Sequence, residues 1–153
     1  MLSTIENGPR ISNEIVNEFE RRHGIQLPGS YRKFLLVHNG GRPVRDLIVV
    51  PGCKASPTAR IHFFHGIGGS LGFQCYDLDW NIKTCADLYE KGLLPIASTE
   101  GADMICIFLP SGEVVFWDGY EQVPVYPLAV NFEEFICKLY SDELSPHAEP
   151  QPG

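Results

Sequence analysis

The sequence predicts an α+β domain in which a mostly antiparallel sheet is flanked by about four helices. Three observations carry that prediction. Apolar residues recur at helical spacing near both ends of the chain and once in its middle. Four short apolar runs follow one another late in the chain with tight connections between them. The 153 residues suffice for one core and leave no linker long enough to separate two.

In chain order, Ile11, Ile15, Val16 and Phe19 share one helical face after Ser12, whose hydroxyl can accept from first-turn amides, and Gly24 stands where the helix should stop. The first helix is predicted over Ser12–His23. In "GIQLPGSYRKFLLVHNGG", residues 24–41, Pro28 suits a first turn because its missing N–H has no intrahelical partner there. Tyr31, Phe34, Leu35 and His38 then follow at i, i+3, i+4 and i+7, and Gly40 is placed to take the left-handed position after the helix.

Between Arg42 and Gly72 the runs "DLIVVPG", "ARIHFFHGI" and "GGSLGF" are short and broken by Pro and Gly, as strands and turns are. From Asp79, read as an N-cap, the period is helical again: Ile82, Cys85, Ala86 and Tyr89 share a face and Gly92 follows. "LLPIAST", "DMICIFL", "EVVFWD" and "VPVYPLA" then form an antiparallel meander, with "LPSGE" as a tight connection. "MICIFL" is apolar on both faces and so belongs in a central strand.

Asn131 and Glu134 have capping-box spacing ahead of Phe132, Phe135, Ile136, Leu139 and Tyr140, giving a last helix over Phe132–Asp142. The domain is therefore assigned to residues 11–142, with residues 1–10 as an N-terminal extension. Residues 143–153 read as a flexible tail, since their last nine, "SPHAEPQPG", hold three prolines and no large apolar group.

Composition narrows the function classes. No apolar run reaches the roughly 20 residues a membrane helix needs, and the N-terminus lacks a signal-peptide pattern, so no membrane association and a cytoplasmic location are expected. Five cysteines, odd in number and without C-x-x-C, suggest reduced thiols rather than a disulfide framework or zinc site. Residues 1–60 carry nine Lys/Arg against five Asp/Glu, a net +4, and residues 61–153 carry three against fourteen, a net −11. The later part is ill suited to phosphate contacts, so no direct nucleic-acid binding is expected; an acidic surface suits a basic protein partner, or simply solubility.

No catalytic set emerges. His62 and His65, three apart in a strand, point to opposite faces and cannot share a metal; one packed and one solvated is the plainer reading. The glycines of "HGIGGSLG" precede neither Lys-Ser/Thr nor a helix, and turns explain them. Cys75 or Cys53 could pair with His38 or His65 in a small hydrolase, but nothing local fixes such a pair, and Cys85, Cys106 and Cys137 fall on apolar runs or faces. No metal or other cofactor is called for. The acidic residues Asp77 and Asp79, Glu100 and Asp103, and Asp118 and Glu121 lie at element edges, where "TEGAD" and "WDGYE" read as turns that project negative charge from the ends of the sheet.

The order of helix, "LPGSYRKFLLVHNGG", a strand ending in "FFHGI", "YDL" before a helix, "LLPIASTEGAD", "ICIFLPSGEVVFWD" and "NFEEFICKLY" resembles the SUKH superfamily, over about residues 10–142. That resemblance implies an α+β fold and a non-enzymatic task. Members include bacterial immunity proteins, which neutralise polymorphic toxins of nuclease or deaminase type, and a fungal cell-wall synthesis regulator. The matching residues Leu27, Pro28, Tyr31, Phe34, Asn39, Gly40, Leu94, Pro95, Ile96 and Gly112 read as structural. Ala102 departs from a glycine frequent in relatives.

The expected function is thus an immunity protein covering a basic toxin surface, with the alternative of a regulatory scaffold that binds a host protein. Asp77, Asp79, Glu100, Asp103, Asp118, Tyr120 and Glu121 are the candidate contacts. Trp80 and Trp117 are further anchors if exposed, against the alternative that both lie in the core. A monomer or weak dimer is expected.

Overall fold

The computed structural model describes residues 3–5, 7–68, 73–119 and 125–142. The expected tail, together with Tyr120 and Glu121, lies outside them, as does most of "GGSLGF".

The first helix, α1 (Asn13–His23), begins at Ser12, whose side chain accepts from the Ile15 amide, and ends at Gly24 with φ 63°. Val16 and Phe19 are its buried stripe. The second, α2 (Gly29–Val37), starts after Pro28 and buries Tyr31, Phe34 and Leu35. Its stop differs from the expectation. Gly40 does have positive φ, 90°, but so do Asn39 at 47° and Gly41 at 109°, so the reversal is spread over the whole "NGG" rather than placed on Gly40 alone.

Asn39 is 1% exposed. Its amide nitrogen donates to the Pro9 and Ile67 carbonyls, both at 2.8 Å, and its oxygen accepts from the Ile67 amide at 2.8 Å. One buried side chain thereby ties the N-terminal segment and the stretch around Ile67 to the end of α2, with its hydrogen-bonding groups satisfied.

A minor two-stranded sheet pairs β1 (Thr4–Ile5) with β2 (Arg42–Pro43). The main sheet runs in sequence order from β3 (Leu47–Val49) through β4 (Thr58–Phe64), β5 (Leu93–Thr99), β6 (Met104–Phe108) and β7 (Glu113–Trp117) to β8 (Val125–Ala129), every pair antiparallel. The expected meander and the central place of "MICIFL" are both observed. Pro95, which has no N–H for a ladder, sits at a register shift in β5 between Pro95 and Ala97, the position in a central strand where a proline is tolerated.

The third helix is two. A short 3-10 turn (Gln74–Tyr76) leads into α3 (Leu78–Thr84), which breaks at Cys85 (φ −107°, ψ 43°) before α4 (Ala86–Glu90). Its N-cap is Asp77, which accepts from the Trp80 amide at 3.1 Å, and not Asp79. The described residues thus hold five α-helices, compatible with the expected sheet flanked by about four. The last, α5 (Phe132–Lys138), is capped as expected by Asn131, which accepts from the Glu134 amide at 2.8 Å, but ends four residues early. Leu139 turns extended there, and Tyr140 instead exchanges backbone hydrogen bonds with Leu47 on the outer edge of β3.

The main core lies on the sheet face that carries Leu94, Ile96, Ile105, Ile107, Val114 and Phe116. Helices α2 and α5 cover it through an aromatic cluster: Phe34 stands 5.0 Å from Phe64 and 5.3 Å from Phe132, and Tyr31 is 5.1 Å from Phe132. Such pairs each add about 0.5–1.5 kcal/mol beyond their burial. The opposite face holds a smaller core of Leu88, Leu93, Cys106 and Val115, with Cys85, Met104, Phe108 and Trp117 packed around it.

Candidate functional site

Antiparallel pairing brings the "TEGAD" turn, the start of β4 and the end of β7 to the same end of the sheet, because Ile61 faces Thr99 and Met104 faces Trp117. Thr99 shapes the turn: it is buried, and its hydroxyl donates to the Asp103 carbonyl at 3.0 Å. A shallow cleft of about 480 Å³ opens here, lined by Thr58, Arg60, Glu100, Gly101 and Asp103 among others.

Arg60 organises this corner. It donates to Asp46 at 2.8 Å and to Asp142 at 2.9 Å, and its Nε stands 3.6 Å from Glu100. The hydrogen bonds to Asp142 and Asp46 hold the guanidinium well above its ordinary pKa, so it stays charged. Three carboxylates share one cation, and two of them face water: the side chains of Glu100 and Asp142 are 65% and 74% exposed. The corner therefore keeps negative charge after its internal pairing.

Asp103 and Asp118 adjoin it, one residue beyond the Met104–Trp117 pair. Asp103 accepts from the Gly119 amide at 3.2 Å. Burial raises its pKa above the ordinary carboxylate value, the Gly119 hydrogen bond opposes that, and the charge and hydrogen bond of Asp118 add to it. Asp118 is 1% exposed, and the Cys53 thiol donates to it at 3.9 Å. The expectation that "WDGYE" projects charge outward is thus corrected for Asp118, which the β6–β7 pairing turns inward. Gly119 packs so closely that a β-carbon would lie 2.8 Å from the Ala102 carbonyl.

Asp77 and Asp79 are not part of this corner. They start α3, beside Gly66 at the other end of β4. Asp77 accepts from the Gly68 amide at 3.2 Å besides capping α3. Asp79 accepts from Arg22 at 2.8 Å and contacts His23 Nε2 at 2.6 Å, joining α3 to α1. Both are engaged in holding the fold together. Trp80 and Trp117 are each half-buried, so neither reading of the tryptophans holds in full. The sequence did not single out Arg60, Asp46 or Asp142; the one signal available was an arginine at a half-buried strand position between buried Ala59 and Ile61.

The other candidates resolve individually. His62 is exposed and His65 buried. His65 Nδ1–H donates to the Pro95 carbonyl and Nε2 accepts from the Ser98 hydroxyl, both at 2.8 Å. His38 contacts Thr4 at 2.9 Å. Cys75 and Cys137 are exposed, which removes Cys137 from the expected packing role. Among the described residues these arrangements assemble no cysteine–histidine pair, and no three His, Cys, Asp or Glu gather as metal ligands.

Comparison with known sequences places the chain. A sequence model of the SMI1 / KNR4 family (SUKH-1) matches residues 10–138. The chain belongs to that family. The SPbeta prophage-derived uncharacterized protein YokK of Bacillus subtilis (strain 168) is 28% identical over 167 residues, spanning 95% of this chain and 85% of that protein. SUKH members include immunity proteins that bind toxins. Leu27, Tyr31, Phe34, Leu94 and Ile96 are core, Pro28 precedes α2, and Gly112 turns between β6 and β7 with φ 80°. Among the described residues no helix is long and apolar enough to cross a membrane.

Proposed function

We propose that this SUKH protein is a non-enzymatic, cytoplasmic immunity protein that neutralises a toxin by docking a basic surface onto the acidic corner. The observation that carries this reading is the shared guanidinium: Arg60 holds Asp46, Glu100 and Asp142 together, yet Glu100 and Asp142 remain largely exposed. Carboxylates fixed in place by an internal cation lose little conformational freedom on binding, and the surplus charge steers a cationic partner. Toxins that act on nucleic acid carry such cationic surfaces. Asp103, partly exposed at the edge of the cleft, is a further contact, and Asp77, Asp79 and Asp118 act in the fold.

The test is co-expression with the product of the adjacent gene, followed by purification of the complex and stopped-flow association. The reading expects rescue of growth, a stable complex, and association that slows as salt rises. The double variant Glu100→Lys, Asp142→Lys should slow association about tenfold or more at low salt. An unchanged rate overturns the acidic corner, and failure to form a complex or rescue growth overturns the immunity role.

A further inference from the structure

The carboxylates of the acidic corner are unequally matched. Arg60 serves Asp46, Glu100 and Asp142, whereas among the described residues no Lys, Arg or His pairs with Asp103. Its partners are the Gly119 amide, which donates to its Oδ1 at 3.2 Å, and Asp118, a second carboxylate. A half-buried negative charge beside a like charge gains from any cation that can reach it.

Two glycines leave room for that approach. Gly101 and Gly119 are both exposed and flank Asp103: a β-carbon on Gly101 would stand 3.4 Å from Asp103 Oδ2, and one on Gly119 would stand 3.3 Å from Cη2 and Cζ3 of Trp117. Neither position carries a side chain that could cover the carboxylate. Trp117 is half-buried against the smaller core, and the far end of its indole reaches the exposed Gly119. Indole and carboxylate thus both touch Gly119, so one side chain lying across that residue meets the two together. The cross-strand neighbours of Trp117, Met104 and Val125, are half-buried and 40% exposed, which gives the place apolar flanks. A guanidinium suits such a site better than an ammonium, because it is planar and weakly hydrated, stacks on aromatic rings and offers paired N–H groups to a carboxylate.

We propose that Asp103 and Trp117, on either side of Gly119, form a docking site for an arginine side chain on the basic partner surface. The site rests on the reading of this corner as the toxin-binding surface, and it names the residue type that the corner takes. Met104 and Val125 flank the methylene stem of the arginine. Asp118, buried beside Asp103, adds to the attraction from within the protein.

The experiment uses the full chain, isotopically labelled and without its partner, and follows the Trp117 indole and Gly119 amide signals by nuclear magnetic resonance. The probe is acetyl-Gly-Arg-Gly-amide, with its lysine and citrulline counterparts as controls. Both signals should move with the arginine peptide and saturate with a dissociation constant on the order of 1 mM. The lysine peptide should bind about threefold or more weakly, and the citrulline peptide, planar but uncharged, should leave both signals in place. Asp103→Asn and Trp117→Leu should each weaken the arginine peptide about fivefold or more, the second read at Gly119. Asp103→Asn can keep the Gly119 hydrogen bond, so it serves if Trp117→Leu fails to fold. No saturable shift at Trp117, equal binding of the lysine or citrulline peptide, or affinity unchanged by Asp103→Asn overturns the arginine site and leaves the immunity role standing. Failure to form a complex with the adjacent gene product overturns that role whatever the peptide does.

Discussion

A β-carbon on Gly40 would stand 2.8 Å from the carbonyl oxygen of Phe64, with the Gly66 amide nitrogen at 3.0 Å. Gly40 also has φ 90°, where side chains are strained. Both obstacles are backbone, so neither can rotate aside. Gly40→Ala should therefore cost about 2–4 kcal/mol, from positive φ and from displacement of β4 together. Urea unfolding measures it; a loss below about 1 kcal/mol would show that the turn shifts freely off the strand.

Tyr31 offers the opposite case. Its ring is fully buried against Phe34 and Phe132, but its hydroxyl has no hydrogen-bond partner among the described residues. Burial pushes its pKa upward, so the group is a neutral, unsatisfied phenol. Tyr31→Phe removes that desolvated hydroxyl and keeps the ring, and stability should be unchanged or rise by about 1 kcal/mol. A decrease of that size on thermal or urea unfolding would reveal a buried water bound to the hydroxyl.

These two residues show what the sequence could reveal. The period of "SYRKFLLV" identified Tyr31 and Phe34 as inward-facing, because a helix fixes side-chain direction by spacing alone. The double-sided apolarity of "MICIFL" did the same for the centre of the sheet. Gly40 was read only as a helix stop, since its contact with Phe64 depends on a strand 24 positions away. Likewise Arg60 meets Asp46 and Asp142 across sequence separations of 14 and 82 residues, and no local pattern encodes that meeting. Asp118 looked like a turn residue because its burial depends on the register of β6 against β7. Cys85 lies on the helical period even though the helix breaks there, so periodicity could not expose the break.

The burial of Asp103, with Asp118 beside it as a smaller cause, predicts a gain from removing a charge. Asp103 has a raised pKa in the folded protein, so folding favours its protonated form, and its ionisation costs stability at neutral pH. Asp103→Asn should stabilise the protein near pH 7, since the amide oxygen can still accept from the Gly119 amide. As pH falls through the raised folded value, wild-type Asp103 takes up its proton and the advantage should vanish, below about pH 4. Urea melts of both proteins at neutral and acid pH decide the matter, and a variant less stable at neutral pH would contradict a cost of ionising Asp103 in its buried place.

His65 predicts acid sensitivity of the opposite sign. Burial lowers its pKa to about 4, against an ordinary value of 6.5, while the bond to the Pro95 carbonyl opposes the shift. The folded state thus excludes a proton that the unfolded chain accepts. The stability from keeping His65 neutral is complete above pH 6.5, drains away as pH falls from there towards 4, and is lost below it. The full difference is roughly 3 kcal/mol. Nδ1 donates to Pro95 on β5 and Nε2 accepts from Ser98 three residues on, so a protonated ring would turn the Ser98 interaction from acceptor to donor inside a closed space. His65→Gln, which can neither gain nor lose a proton in this range, should lower stability at pH 7 yet flatten the decline between pH 6.5 and 4. Subtracting one pH profile from the other cancels the carboxylates common to both, and equal slopes in the two proteins would place the acid sensitivity elsewhere.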